Sequence, residues 1–459
     1  MKDLTQGPIV RNILAMAAPM AAGMMFQTLY FLVDLYFVAD LGDAAVAGVG
    51  AAGTLMFVIM ALTQVLGVGA VALIAQAVGR RDQGDANLVF NQSVLFAVAC
   101  ALATLIGGYA LADAYVASIA ADAATRAQGV TYLYWFLPGL ALGFAQVVMG
   151  SALRGTGIVK PTMLIQALTV LLNTVLAPIL IAGWGTGYAM GVAGAGLASS
   201  IAIVAGIVLL AGYFVKLEKY VGFDMRLWRP QLKVWRRMLD VGLPAGGEFA
   251  LMFIYMAVIY WVISDFGAAA QAGFGIGSRI MQSNFLPAMA NAFAAGPIAG
   301  QNFGAGLGSR VRETFAKAVL LNTVVMVLVT AFLQWRPEVL VAFFTPEAEA
   351  QVVGATFLRI ISWTFIAQGL VFTCSGVFQG LGNTIPAMLS SAIRLAVFVP
   401  LAVWLAAQPA FRLEEVWWLS VLTVWLQGGA SYLLLRQQFR RRLVDAPRPV
   451  VPLAAPAES

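Results

Sequence analysis

Apolar residues in this chain do not form the short stripes of a soluble domain. They run together for twenty residues and more, broken by brief polar clusters. About 20 such residues cross roughly 30 Å of hydrocarbon as an α-helix. The runs predict helices near 12–38, 44–77, 88–112, 126–150, 161–183 and 190–215. A second set falls near 238–264, 269–303, 314–335, 351–378, 386–407 and 416–437. Polar groups confined to the breaks between such runs define an all-α polytopic membrane protein with twelve transmembrane helices.

The two sets repeat one another. Pro19 returns as Pro244, DLGDAAVAGVG (40–50) as DFGAAAQAGFG (265–275), and QAVG (76–79) as QNFG (301–304). Gly155, Gly157 and Pro161 return as Gly380, Gly382 and Pro386, and every pair is 225 positions apart. A constant offset across four motifs marks a duplicated half-molecule. It predicts a six-helix lobe over 1–215, a linker over 216–237 and a second six-helix lobe over 238–440. An even number of spans gives both halves one orientation, so their pseudo-twofold axis lies along the membrane normal. In the linker, basic residues alternate with apolar ones, Trp228 and Trp235 among them. That pattern predicts an amphipathic segment on the inner leaflet, with a solvated loop as the alternative. The tail, 441–459, has the composition of a disordered segment.

Charge then orients the bundle. Only 10% of residues are charged against 61% apolar, with 27 Lys and Arg giving a net charge of +6. Most of the basic residues fall at the N-terminus, in alternate loops (Arg80, Arg81, Arg154, Lys160), in the linker and in the tail. The positive-inside rule places these segments, and hence both termini, in the cytoplasm. The basic balance is therefore topological, and no nucleic-acid surface is implied. The N-terminus lacks a cleavage signature, so the first span is expected to be retained. The chain has no histidine, and its two cysteines, Cys100 and Cys374, fall in spans that the repeat does not pair. A disulfide or a metal site is not expected, and a histidine proton relay or a histidine-ligated metal is excluded.

Within the spans, ionisable residues are expensive and mark function. Of 21 carboxylates, only Asp34 and Glu248 fall well inside a predicted helix. Tyr30 lies one turn before Asp34 on the same face. A carboxylate in hydrocarbon holds its proton more tightly than in water, which brings it within range of a physiological proton gradient. The bland reading of Asp34 is a helix-end carboxylate, six residues short of Asp40. The second half carries charges without counterparts: Glu248 pairs with Gly23, Arg279 with Thr54 and Arg394 with Thr169. An ion pair between Glu248 and one of the arginines would limit the cost of burying them. Pro19 and Pro178 are among the prolines that free backbone carbonyls and permit bending, and the segment from Pro19 to Asp34 is a candidate hinge.

These residues resemble a known family. A Gly-Pro start, Pro19, then FLVD ending at Asp34 and DLG…AxAGxG is similar to the opening of the multidrug and toxic compound extrusion (MATE) transporters. Gln76-Ala-Val-Gly, Arg154-Gly-Thr-Gly with Pro161, Asn173, GVAGAGLAS (191–199), GQNFGAG (300–306) and FQGLGNTIP (378–386) continue the likeness from about residue 7 to 440. The resemblance implies two six-helix lobes around a central cavity in a bacterial inner membrane. It implies no cofactor and export of small amphipathic, often cationic, molecules against a proton or sodium gradient, by a monomer in contact with membrane lipid. It places an ion site on Tyr30, Asp34, Asn173 and Ser199. The chain departs where many members have a second Asp, before the proline after this Asn: here stands Ala177, followed by Pro178. One carboxylate makes a poor sodium site, so protons are the expected coupling ion. A tenth-helix acid of some members corresponds to Gln368.

Two other readings compete. A flippase for lipid-linked saccharides shares a two-lobe build and should carry a more cationic cavity, for which only Arg279, Arg359 and Arg394 speak. A membrane enzyme needs clustered acids, a metal or a nucleophile with its base, and two carboxylates in different lobes leave no such site.

Overall fold

The computed structural model describes residues 1–120 and 122–443, apart from the side chains at 31, 35, 54 and 57. The described residues form long helices and no strand. The first six are α1 (Ile9–Ala39), α2 (Asp43–Gly79), α3 (Gln83–Ala117), α4 (Ala123–Gly155), α5 (Lys160–Ile181) and α6 (Val192–Lys216). The second six are α7 (Leu232–Ile263), α8 (Gly267–Gly304), α9 (Gly308–Trp335), α10 (Ala348–Gly380), α11 (Ile385–Ala406) and α12 (Leu413–Arg442). A six-residue helix, Pro337–Ala342, lies between α9 and α10. The apolar helical stretch Leu232–Gly304 is 73 residues long. Straight, it would span about 110 Å, several membrane thicknesses, so it must reverse. It does so at the 3-10 turn Ser264–Phe266, where Gly267 takes φ 84°, a backbone conformation that suits glycine.

Each lobe has its own apolar core. One joins Phe90, Leu133, Phe144 and Leu153 of the first half. The other joins Phe274, Phe357, Phe365 and Trp417 of the second. The architecture is the expected one: twelve membrane helices in two six-helix lobes about an axis along the membrane normal.

The lobes meet in a reciprocal contact at the face that carries the linker. Gly155 and Gly380 end α4 and α10, where terminal carbonyls have no partner within their own helix. Gln76 Nε2 of the first lobe donates to Gly380 O of the second at 2.9 Å. Gln301 Nε2 of the second donates to Gly155 O of the first, also at 2.9 Å. Residues 76 and 301, and 155 and 380, are repeat partners, so one bond is formed twice across the axis. The helices that carry the glutamines cross without side chains between them. A Cβ on Gly79 would lie 2.0 Å from Gln301 O, and one on Gly304 2.1 Å from Gln76 O.

Several local expectations change. The tenth span does not run as one helix. It breaks at Ser362–Thr364, and side chains of α9 take up the freed carbonyls. Gln334 donates to Arg359 O and Thr330 to Ser362 O. The linker forms a single 3-10 turn, Met225–Leu227, and is tied to the first lobe. Asn91 and Gln92 of α3 hold it by its backbone, Trp228 Nε1 donates to Asn91 at 3.0 Å, and Trp235 stacks on Phe96 inside α7. Both tryptophans therefore face protein rather than lipid. Arg441 and Arg442 still belong to α12. The disorder expected of the tail falls, from residue 444, outside the described residues.

If backbone contact through Gly79 and Gly304 closes this face, Gly79→Ala and Gly304→Ala should each cost about 1–3 kcal/mol through overpacking. Unfolding of the detergent-purified protein measures this. Gly107→Ala and Gly143→Ala, whose added Cβ would meet nothing within 4 Å, serve as controls and should be near neutral.

Candidate functional site

Helices α1, α5 and α6 of the first lobe bring together the residues singled out from the sequence. Asp34 of α1 lies half-buried between the other two. Asn173 Nδ2 of α5 donates to its Oδ1 at 2.8 Å, and Ser199 Oγ of α6 donates to its Oδ2 at 2.9 Å. Asn173 and Ser199 are fully buried. Both carboxylate oxygens thus have one neutral partner, and among the described residues no cation pairs with Asp34. Tyr30 lies within electrostatic reach of Asp34. Ala177, at the position of the absent acid, is a buried methyl group one turn beyond Asn173.

Tyr132 of α4 also lies within electrostatic reach of Asp34 and is 4% exposed. The sequence reading missed it. The repeat held a signal, since its partner 225 residues on is Phe357, and the hydroxyl belongs to one copy only.

The chemistry follows from what these partners can do. A carboxylate only accepts hydrogen bonds when ionised and donates one when protonated. A serine hydroxyl can answer either state by rotating. An asparagine can do the same by turning its amide, and Asn173 Oδ1 is enclosed with no partner. The pocket can therefore offer Asp34 a hydrogen-bond partner in both protonation states. It offers a metal ion one formal charge and two or three neutral oxygens.

The second lobe differs. Glu248 of α7 is half-buried and accepts from Ser375 Oγ of α10 at 2.9 Å. The ion pair expected between Glu248 and an arginine does not form. Arg394 of α11 lies instead over the ring of Tyr255, 4.0 Å from its centroid. Arg279 of α8 is exposed and pairs with no carboxylate. Gln368 of α10 is half-buried. The site elements are therefore α1, α5 and α6 with a carboxylate in one lobe, and α7, α11 and α12 with an arginine in the other.

Among the prolines, Pro19 is carried by an α1 that runs unbroken over 31 residues. Pro178 sits in the last turn of α5, where Ala182 and Trp184 N–H groups both close on its carbonyl. Arg154 was expected in a solvated loop. It lies in the last turn of α4, bonded to Ser151 at 2.7 Å, and lines a small cavity between the lobes with Gln64, Phe293 and Gln379.

A duplicated twelve-helix bundle with a carboxylate enclosed between three helices of one lobe defines a membrane transport protein. The chain belongs to the MatE family, the MATE transporters: the family model matches residues 19–179 and again 244–404, the same 225-residue step. It is thus a transporter and not an enzyme. The chain is 24% identical over 442 residues to the multidrug export protein MepA of Staphylococcus aureus (strain NCTC 8325 / PS 47), covering 96% of each. It is 25% identical over 436 residues to the probable multidrug resistance protein YpnP of Bacillus subtilis (strain 168), covering 94% of each. A solved outward-facing conformation of a multidrug resistance MATE family transporter matches with TM-score 0.88 and 26% identity, over 96% of this chain and 98% of that one.

Were the three residues one unit, Asn173→Ala and Ser199→Ala would each remove a partner of Asp34 and destabilise by about 1–3 kcal/mol. The same changes made in Asp34→Leu should cost less, leaving a coupling energy of about 1 kcal/mol or more in a double-mutant cycle. Additive effects would separate them.

Proposed function

We propose that this protein exports small amphipathic, often cationic, molecules in exchange for protons, with Asp34 as the coupling carboxylate. The observation that carries the reading is the bonding of Asp34: two neutral partners, each able to serve the ionised and the protonated acid. The multidrug names of MepA and YpnP support the cargo class. Positive residues at the linker face support a cytoplasmic location for that face and both termini, in a bacterial plasma membrane.

The cycle needs two steps. Protonation neutralises Asp34, so its pocket can close dry around α1, α5 and α6. Release of the proton leaves a buried anion that attracts water or a cation and favours the open pocket. Tyr30 and Tyr132 border the acid and position it, while Asn173 and Ser199 hold it in both states. Pro19 is the hinge we assign to this exchange, and Pro178 a secondary one at the end of α5. Sodium is the weaker candidate, because Ala177 supplies no second charge. Glu248, held by a serine, is the residue we assign to meet a cationic group of the substrate from the second lobe, with Gln368 two turns before that serine on α10.

Asp34→Asn keeps size and hydrogen bonding and removes titration. In everted vesicles it should reduce proton-driven dye efflux to background while folding is retained, and removing sodium at a fixed proton gradient should leave wild-type efflux unchanged. Near wild-type pumping by Asp34→Asn, or an absolute need for sodium, would overturn the assignment.

A further inference from the structure

Helices α7, α11 and α12 are the repeat partners of α1, α5 and α6, so the second lobe has a counterpart of the acid site. Tyr30 is repeated there as Tyr255. The acid and its two partners are not, since Asp34, Asn173 and Ser199 correspond to Ile259, Phe398 and Val424, all buried. In place of an acid this pocket contains Arg394.

The surroundings of Arg394 are polar, ordered and without an anion. Tyr255 lies face-on beneath the guanidinium, stacks edgewise on Phe398, and donates its hydroxyl proton to Ser420 Oγ at 2.8 Å. Gln427, 4% exposed, donates to Ser391 Oγ at 2.9 Å, which turns its amide oxygen towards Arg394. That oxygen is 3.4 Å from Nη1, a long contact, and Nε is enclosed with no partner. Among the described residues no carboxylate lies within ion-pair distance. Glu248 is two turns before Tyr255 on α7, about 10 Å along the helix, and is engaged by Ser375.

A cation inside a membrane protein is normally paired, because an uncompensated charge there is costly. Arg394 has a ring, a distant amide and a free fork edge, and the planar fork matches an oxyanion bidentately. We propose that Arg394, with Tyr255 and Gln427, receives the oxyanion of an amphipathic organic ligand, so the second lobe recognises acidic or zwitterionic molecules while the first carries the proton site. In this the proposal rests on the export reading only for the statement that the ligand is cargo. The same oxyanion chemistry belongs to a solute carboxylate and to a lipid phosphate.

Binding to the full-length purified protein tests it. Carboxyfluorescein supplies the anion, ethidium the cation, and phosphatidylglycerol the lipid phosphate. Arg394→Gln should weaken carboxyfluorescein binding about tenfold or more, the scale of a lost charge-assisted bond. Arg394→Lys should fall between, and ethidium binding should stay at the wild-type value in both. Phosphatidylglycerol that binds in place of carboxyfluorescein, with the same dependence on Arg394, identifies lipid as the source of the oxyanion. Equal losses for both dyes, or an Arg394→Gln protein that binds carboxyfluorescein and phosphatidylglycerol like the wild type, overturns the proposal. Wild-type vesicles that fail to export ethidium on a proton gradient would count against the export reading and leave this binding result standing.

Discussion

The structure depends on how two helix ends are satisfied where no water reaches them. Gly155 O and Gly380 O are terminal carbonyls, and each takes its hydrogen bond from a glutamine of the other lobe. The bond does more than join two lobes. To reach across, α2 and α8 must cross at backbone distance, which forbids a side chain at Gly79 and Gly304. The same crossing places the cavity lined by Arg154 on the axis, between Val68 and its repeat partner Phe293. Because each partner of the contact is its own repeat image, one local solution closes the whole face. Any motion that parts the lobes there must break both bonds together and leave two carbonyls to be hydrated.

The scaffold is duplicated, but the chemistry is not. The positions that hold Asp34, Asn173 and Ser199 hold Ile259, Phe398 and Val424 in the second lobe, and Tyr132 becomes Phe357. A second copy of the acid would double the desolvation cost without adding a distinct function. What both copies retain is a tyrosine, Tyr30 and Tyr255, whose ring is apolar and whose hydroxyl is polar. Beside an acid that hydroxyl lies within electrostatic reach of the carboxylate, and beside Arg394 the ring face supplies the attraction. One scaffold position thus serves pockets of opposite charge.

How far the sequence disclosed this depends on the range of the interaction. Run length and the 225-residue step reveal the helices and the twofold arrangement, because both are written along the chain. Asp34 was legible because a carboxylate deep in an apolar run has few innocent explanations, and the family resemblance brought Asn173 and Ser199 with it. The partner of Glu248 was not legible. Opposite charges in one lobe suggested an ion pair, but Ser375 reaches Glu248 first and Tyr255 takes the face of Arg394. Arg154 misled for a related reason: three residues before the turn glycine Gly157 it counts as a loop charge, yet the last turn of α4 aims it inward. Trp228 and Trp235 carry no label that distinguishes lipid from the side of α3.

Helix α1 is the element through which a proton could move a lobe. Its first turns are packed largely on the other half: Ile9, Ile13 and Met16 share a buried cluster with Ala294, Ile298, Val311 and Phe378 of the second, joined by Val159 of the first. Leu4, just ahead of the helix, joins them, donating its N–H to Gln301 Oε1 and accepting from Asn302 Nδ2. About five turns beyond Met16, Asp34 ties the same helix to α5 and α6 of the first lobe. Pro19 stands between the two attachments. A helix anchored at both ends in different bodies cannot respond to a change at one end by moving freely. It must transmit the displacement or bend, and the proline is where the hydrogen-bond ladder already lacks a rung. In the proposed cycle, the protonation state of Asp34 sets how firmly the far half of α1 is held, and the near half carries that difference to the contact between the lobes.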